Sequence, residues 1–220
     1  MQYLDVLMRS DLFRGIAGGD LETMLGCLSG EFRDYGKNEI ILLEGSDVTH
    51  VGLVLSGAAD VVKEDMWGNR TILTRCEPGD LFAESFSCVM TKKLPVTVIS
   101  AAESRVLFIN YRRIITICPS ICSHHLKLIE NMMYILASKN ILMTEKLQIM
   151  AKPTTREKLL AYLYGQSQRC GSLTFMVPFD RQQMADYLGV DRSAMSTELG
   201  KLRDEGLISF HKSSFKLHTP

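Results

Sequence analysis

Residues 180 to 205, DRQQMADYLGVDRSAMSTELGKLRDE, decide the architecture of this chain. The stretch reads as two short helices joined by a tight turn. Asp180 is placed to cap the first helix, and Gln183 stands three residues on, where a capping box closes. Ala185 is small where two crossing helices approach closely, and Gly189, four residues later, can take the positive φ that ends a helix. Asp191 can cap a second helix in which Met195, Leu199 and Leu202 recur at i, i+4 and i+7 as a buried stripe. Arg192, Ser193, Ser196 and Thr197 are left on the other side. These are hydrogen-bonding side chains in the first two turns of the second helix, where a helix-turn-helix protein presents such groups to base edges. Arginine can hold guanine through two hydrogen bonds, and serine or threonine reaches bases or phosphates. A merely solvated face is the plain alternative; the order of small residue, glycine and apolar residue (Ala185, Gly189, Met195) favours DNA.

The rest of the chain sets the context for that motif. Its 220 residues, 46% of them hydrophobic, can hold one large domain or two medium ones that each bury a core. The 25 basic and 25 acidic residues cancel, which argues against a wholly basic nucleic-acid protein. They are not evenly spread: residues 1–150 carry 15 Lys and Arg against 18 Asp and Glu, whereas 151–220 carry 10 against 7, so the C-terminal part is basic by three charges. Asp5, Arg9 and Asp11 interrupt the N-terminal MQYLDVLMRSDLF, so no secretory signal is expected, and no charge-free apolar run is long enough to span a bilayer. The expected location is the cytoplasm, with no membrane partner. Six cysteines are scattered without a paired framework; only Cys118 and Cys122 are close, and CxxxC alone is a poor metal signature, so no metal site is expected. There is no HExxH, GxSxG, P-loop or spaced Cys/His set, hence no catalytic residue to name and no enzyme expected.

In chain order, a short helical segment at about Leu21 to Leu28 leads into residues 32–110, which change character. Runs such as EIILLE, HVGLVLSG, ADVVKED, RTILTRC and PVTVISA are rich in β-branched and apolar residues and are punctuated by glycine or proline. That spacing predicts an antiparallel β-barrel or sandwich, with DMWGNR as its clearest turn, Gly68 supplying positive φ. From Tyr111 the period becomes helical. Pro119 is placed to open a long helix in which Leu126, Ile129, Met133, Leu136, Asn140, Met143, Leu147 and Met150 recur at 3,4 spacing. Such a seam predicts a two-stranded coiled coil and a homodimer, with Asn140 either pairing across it or marking a solvated kink. Pro153, in AKPTT, stops that helix, and Thr154 with Glu157 caps the next, REKLLAYLYGQSQ. Leu173, Phe175 and Val177 alternate as a short strand, and LISFHKSSFKLH reads as a hairpin turning at Lys212 to Ser214, a wing beside the helix pair. The expected fold is α+β: an effector-sensing barrel at 1–118, a dimerisation helix at 119–150 and a winged helix-turn-helix at 151–220.

That order of parts resembles the Crp/Fnr superfamily of bacterial transcription regulators. The resemblance covers nearly the whole chain. Gly45, Gly57, Gly68 and Gly79 resemble the family's barrel glycines, and PGDLFAES its GD-x-x-GE phosphate-binding cassette, so the barrel is cyclic-nucleotide-binding-like, a jelly roll. The more specific match is FDRQQMADYLGVDRSAMSTELGKLRDEGLISFH, similar end to end to the family's DNA-binding signature. The resemblance implies a homodimer on palindromic double-stranded DNA, RNA polymerase as a further partner, and a small effector held between barrel and long helix. Arg181 and Gln182 resemble positions that hold the DNA backbone, His211 a wing residue that touches phosphate, and Arg192 the arginine that reads guanine. Ser196 resembles the serine of the Fnr branch, whereas Ser193 and Thr197 stand where cyclic-AMP-binding members carry a glutamate and a second arginine. Glu84 matches the acid that accepts a ribose hydroxyl, but the arginine and serine that clamp the cyclic phosphate are replaced by Leu94 and Pro95. Lys92 and Lys93 could substitute or simply belong to a solvated loop. The expected effector is therefore a small molecule other than cyclic AMP, with Glu84, Ser85, Thr97, Lys139 and Asn140 as its polar contacts. An iron–sulfur cluster is not expected, because Cys27 stands alone ahead of the barrel, nor is haem, because His50, His124 and His125 show no ligand pattern. Cys118 and Cys122 read as a redox pair or as two buried thiols one turn apart. The alternative function is a cyclic-nucleotide-binding regulatory protein acting through a protein partner, which would keep the arginine clamp and need no Arg192; the chain has the reverse.

Overall fold

The computed structural model describes residues 3–89, 93–116 and 123–218, Ser123 by its backbone only. Lys92, Cys118, Pro119 and Cys122, and with them the redox pair and the expected opening of the long helix, lie outside the described residues. The chain divides into two compact units, Met1–Asn69 with Leu73–Asn140, and Arg70–Ile72 with Ile141–Pro220.

The first unit begins with α1 (Leu4–Arg9), a 3-10 turn (Asp11–Phe13) and α2 (Gly18–Cys27). Its strands are β1 (Glu31–Tyr35), β2 (Ile40–Leu42), β3 (His50–Ser56), β4 (Ala59–Glu64), β5 (Arg70–Cys76), β6 (Leu81–Phe82), β7 (Thr97–Ser100) and β8 (Ser104–Asn110), with α3 (Glu84–Val89) after β6 and α4 (Tyr111–Ile115) after β8. They form two four-stranded sheets, β1-β8-β3-β6 and β2-β7-β4-β5, the expected jelly roll. β3 and β8 are apolar through their centres, Val51–Leu55 and Val106–Ile109, because both of their faces are covered there. Val51, Leu53, Leu55, Leu107 and Ile109 pack on Leu7, Leu12, Phe13, Leu21, Leu25 and Leu128 from the helices. The alternate residues Val54, Val106 and Phe108 face the space between the sheets with Phe82, Val96 and Val98. Gly52 is required there: a Cβ on it would lie 2.1 Å from Phe82 Cζ. The turn at Gly68 has φ +81°, and the Asp65 carboxylate accepts the N–H groups of Trp67 and Asn69 at 2.9 and 2.8 Å.

The helical segment expected at about Leu21 to Leu28 is present as α2 (Gly18–Cys27). It is preceded by α1 and the 3-10 turn, which bury Leu7, Leu12 and Phe13. The strand region also contains α3, which at six residues is too short to show a helical period; α4 begins at Tyr111, where helical character is expected.

α5 (Ser123–Met150) is a continuous 28-residue helix that runs from the first unit into the second. Leu128, Met132 and Ile135 are buried against the first core, and Asn131 donates from Nδ2 to the carbonyls of Leu12 and Arg14, both at 2.9 Å. The second unit continues with α6 (Thr155–Cys170), β9 (Thr174–Met176), α7 (Arg181–Leu188), α8 (Arg192–Asp204), β10 (Ile208–His211) and β11 (Ser214–Leu217). The wing is larger than the expected hairpin. β9 pairs antiparallel with β11, Phe175 opposite Phe215, to make a three-stranded sheet ordered β10-β11-β9.

Candidate functional site

The helix pair is built as its sequence dictates. Asp180 accepts from Gln183 N at 2.9 Å while Gln183 Oε1 accepts from Asp180 N at 3.0 Å, a complete capping box. α7 stops at Gly189, φ +59°, where a Cβ would lie 2.7 Å from Met150 Cε. Asp191 caps α8, accepting from Ala194 N at 2.8 Å, and Met195, Leu199 and Leu202 are buried to 1% exposure or less. The hydroxyl of Ser193 and then the N–H of Ala194 hold the Asp191 carboxyl below its usual range. α6 is held against α8 by Arg156, whose two terminal nitrogens donate to the two carboxylate oxygens of Glu205. The outward face of α8 carries Arg192, Ser193, Ser196 and Thr197, all exposed. No ion pair engages Arg192 among the described residues.

The remaining expected DNA contacts are placed differently from one another. Gln182 is exposed and donates to Asp186 Oδ1 at 2.8 Å; His211 is exposed at the wing turn, where Lys212 has φ +51°. Arg181 is half-buried, its guanidinium 4.8 Å from the centre of the Phe210 ring and 5.1 Å from that of Phe215. Burial depresses its pKa. In this position Arg181 ties α7 to the wing through its flat face.

In the first unit, Glu84 and Lys139 come together. Lys139 Nζ lies 2.9 Å from Glu84 Oε1 and also donates to the carbonyl of Leu81, with side-chain exposures of 31% for Lys139 and 4% for Glu84. Ser85 Oγ adds a bond to the same Glu84 oxygen at 3.3 Å, while Glu84 Oε2 is buried and accepts no bond among the described residues. Burial alone would lower the Lys139 pKa, but Glu84, Cys76 and Asp80 around it leave it raised. The same enclosure pushes the Cys76 thiol up to about 12. Thr97 belongs elsewhere, its Oγ1 accepting from Glu44 N at 3.2 Å, and Asn140 is exposed on α5.

On α5, Leu126, Met133, Asn140, Met143 and Leu147 of the expected seam are exposed. Ile129 and Leu136 are half-buried, the latter packed against the core of its own unit. Leu126, Met133 and Leu147 are 63–68% exposed, unusual for apolar residues on a helix whose opposite side is packed.

Three features escaped the sequence reading. Arg75 and Asp60 form a two-pronged ion pair at 2.7 and 2.8 Å, with side-chain exposures of 9% and 4%; opposite charges on the two strands of the DMWGNR hairpin were the available signal. Lys146 is buried at 7% exposure, donates to the Ile72 carbonyl and lies 3.8 Å from the Tyr187 ring centre. Burial pulls its pKa down to about 8. Ala83, which stands at the second glycine of GD-x-x-GE, has φ +64°, a conformation that favours glycine.

Comparison with known proteins agrees with this construction. A cyclic nucleotide-binding domain matches residues 32–120 and a Crp-like helix-turn-helix domain matches residues 157–220. With both modules present in that order, the chain belongs to the Crp/Fnr superfamily of transcription regulators, which are not enzymes. No curated protein matches the chain by sequence. Among solved structures, the c-di-GMP responsive global regulator CLP of Xanthomonas campestris is similar over 93% of this chain and 100% of its own, with 17% identity and a TM-score of 0.75. FixK2 of Bradyrhizobium japonicum is similar over 86% and 93%, with 18% identity and a TM-score of 0.68. A CRP-family regulator of Thermus thermophilus is similar over 84% and 91%, with 20% identity and a TM-score of 0.62. At these identities the likeness establishes the fold.

The residues at the family's ligand position depart from the cassette and clamp that hold cyclic AMP. Glu84 is already paired with Lys139, and the Cβ of Ala83 stands where the cassette has a bare glycine. Leu94, at a clamp position, is 1% exposed in the core between the sheets, so an anionic phosphate would meet hydrocarbon there.

Proposed function

We propose that this regulator acts as a homodimer on palindromic double-stranded DNA, with α8 as its recognition helix. The observation that carries the reading is the outward face of α8: a free arginine and three hydroxyls on a helix capped at Asp191 and anchored by three buried side chains. Arg192 reads guanine, Ser193, Ser196 and Thr197 contribute to the same groove, and Gln182 and His211 approach the backbone. The bare stripe of Leu126, Met133, Met143 and Leu147 supports pairing of α5 with a second copy, with Ile129 and Leu136 at the margin of the seam and Asn140 within it. The division of labour is a sensing barrel at 1–118, a dimerisation helix at 119–150 and a DNA-binding domain at 151–220. The protein works in the cytoplasm with RNA polymerase as its partner; no helix among the described residues is long and apolar enough to cross a membrane.

Control comes from a small effector other than cyclic AMP, acting where α5 meets the barrel at Glu84, Ser85 and Lys139. Such a molecule has to part Lys139 from Glu84, so its binding changes what α5 is held by and shifts the population of DNA-competent dimers. The test is fluorescence anisotropy of the full chain on duplexes enriched from a random pool, with salt titration and sedimentation. Sequence-selective, salt-dependent binding by a dimer, unchanged by cyclic AMP, is expected. A monomer that binds no duplex, or binding that requires cyclic AMP, refutes it.

A further inference from the structure

The hydroxyls of α8 have a defined polarity. Ser196 Oγ donates to the Arg192 carbonyl at 2.9 Å, and Thr197 Oγ1 donates to the Ser193 carbonyl at 3.0 Å. Ser193 donates to the Asp191 carboxylate, which Ala194 N holds in place from the helix side. All three O–H groups are thus engaged by the helix or its cap, while the oxygens stand at exposed positions with lone pairs to offer. Arg192, one turn ahead of Ser196, is the opposite: a guanidinium has five donors and no acceptor. The major groove presents both kinds of partner. Guanine N7 and O6, adenine N7 and thymine O4 accept, whereas only the exocyclic amino groups of adenine and cytosine donate.

Resting on the assignment of α8 to DNA, we propose that the helix reads its half-site with split polarity: Arg192 donates to guanine, and Ser196 and Thr197 accept from the amino groups of adenine or cytosine. To donate to N7 or O4, either hydroxyl must first leave its carbonyl; to accept from an amino group it gives up nothing. The same argument removes these hydroxyls from phosphate binding, because phosphate oxygens only accept. Ser196 and Thr197 therefore set sequence preference without contributing to the salt dependence.

The test uses the full chain and a duplex enriched from a random pool. Each adenine of the half-site is replaced in turn by purine nucleoside, which lacks the N6 amino group and keeps N7, or by 7-deazaadenine, which does the reverse. Each cytosine is replaced by the analogue lacking its N4 amino group. At one or two positions, loss of the amino group weakens wild-type binding by about two- to tenfold, the range of one net hydrogen bond. That loss is absent in Ser196→Ala or Thr197→Val, and the salt slope of both variants equals that of the wild type. If 7-deazaadenine weakens the wild type and the effect vanishes in either variant, the hydroxyl donates and the polarity is overturned. If no amino-group deletion has any effect, the proposal is also overturned. 7-Deazaguanine with Arg192→Ala separates the two levels: a surviving Arg192–guanine coupling leaves DNA binding intact while the polarity fails, and a pool that enriches nothing removes both.

Discussion

Replacing Lys139 by methionine removes the ammonium that faces Glu84 while keeping most of the stem. The carboxylate it leaves behind is 4% exposed, has one oxygen already without a partner, and retains only the 3.3 Å bond from Ser85. Breaking a fully buried pair from one side costs about 3–5 kcal/mol, because the remaining charge is desolvated and unpaired. Lys139 itself is 31% exposed, so water enters more easily once it is gone, and the expected loss is nearer to ~2–3 kcal/mol. For a chain of this length that lowers the melting midpoint by roughly 5–10 °C. Urea unfolding of the wild type, Lys139→Met, Glu84→Gln and the double variant closes a mutant cycle in which Lys139→Met costs much less on the Glu84→Gln background. A Lys139→Met variant within ~0.5 kcal/mol of wild type, or a double variant no more stable than the single one, would refute the reasoning, since either result means that the pair is solvated and that Glu84 is free for a ligand.

Arg192→Ala weakens binding to the selected duplex by ~1–3 kcal/mol and relaxes preference at one base position, as read by competition gel shift. Gly189→Ala costs the folded state ~1–2 kcal/mol, from the left-handed backbone and the Met150 contact together, as measured by urea midpoint. Lys146 carries a pH signature. Its folded pKa, about 8, lies below the ordinary 10.5, so the unfolded chain binds that proton more readily and the penalty for keeping it in the folded state is relieved as pH rises. Between pH 7.5 and 9.5 the wild type therefore gains ~1–2 kcal/mol relative to Lys146→Met, and parallel pH profiles for the two proteins would contradict this.

Much of this molecule was legible in its sequence, for local reasons. The box of Asp180 and Gln183, the positive φ at Gly189 and the cap at Asp191 each depend on residues within four positions of one another, so chemistry and spacing define them. β3 and β8 could be read as strands, but not that their two faces belong to different cores, because that depends on which helices fold over them. The seam of α5 was half visible. Apolar spacing showed Leu126, Met133 and Met143, yet a packed stripe and a bare one look alike in sequence, so Leu128, Met132 and Ile135 went unread. Lys139 and Glu84 both read as ligand contacts from their polarity; that they answer each other across 54 intervening positions is a tertiary fact. Arg181 was read as a charge and is placed as a plane, lying over Phe210 and Phe215.

The two stripes of α5 also bear on how this chain can change length. Leu128, Met132 and Ile135 point into one environment, and Leu126, Met133 and Leu147 into another, on a single uninterrupted helix. An inserted residue turns everything after it by about 100°, which would exchange packed positions for bare ones along the remainder of the helix. Seven inserted residues return nearly to the starting angle, within about 20°. Between Leu126 and Leu147, insertions and deletions that keep this phase are those of about seven or about eleven residues, whereas the exposed Met66–Trp67 turn has no such phase to keep.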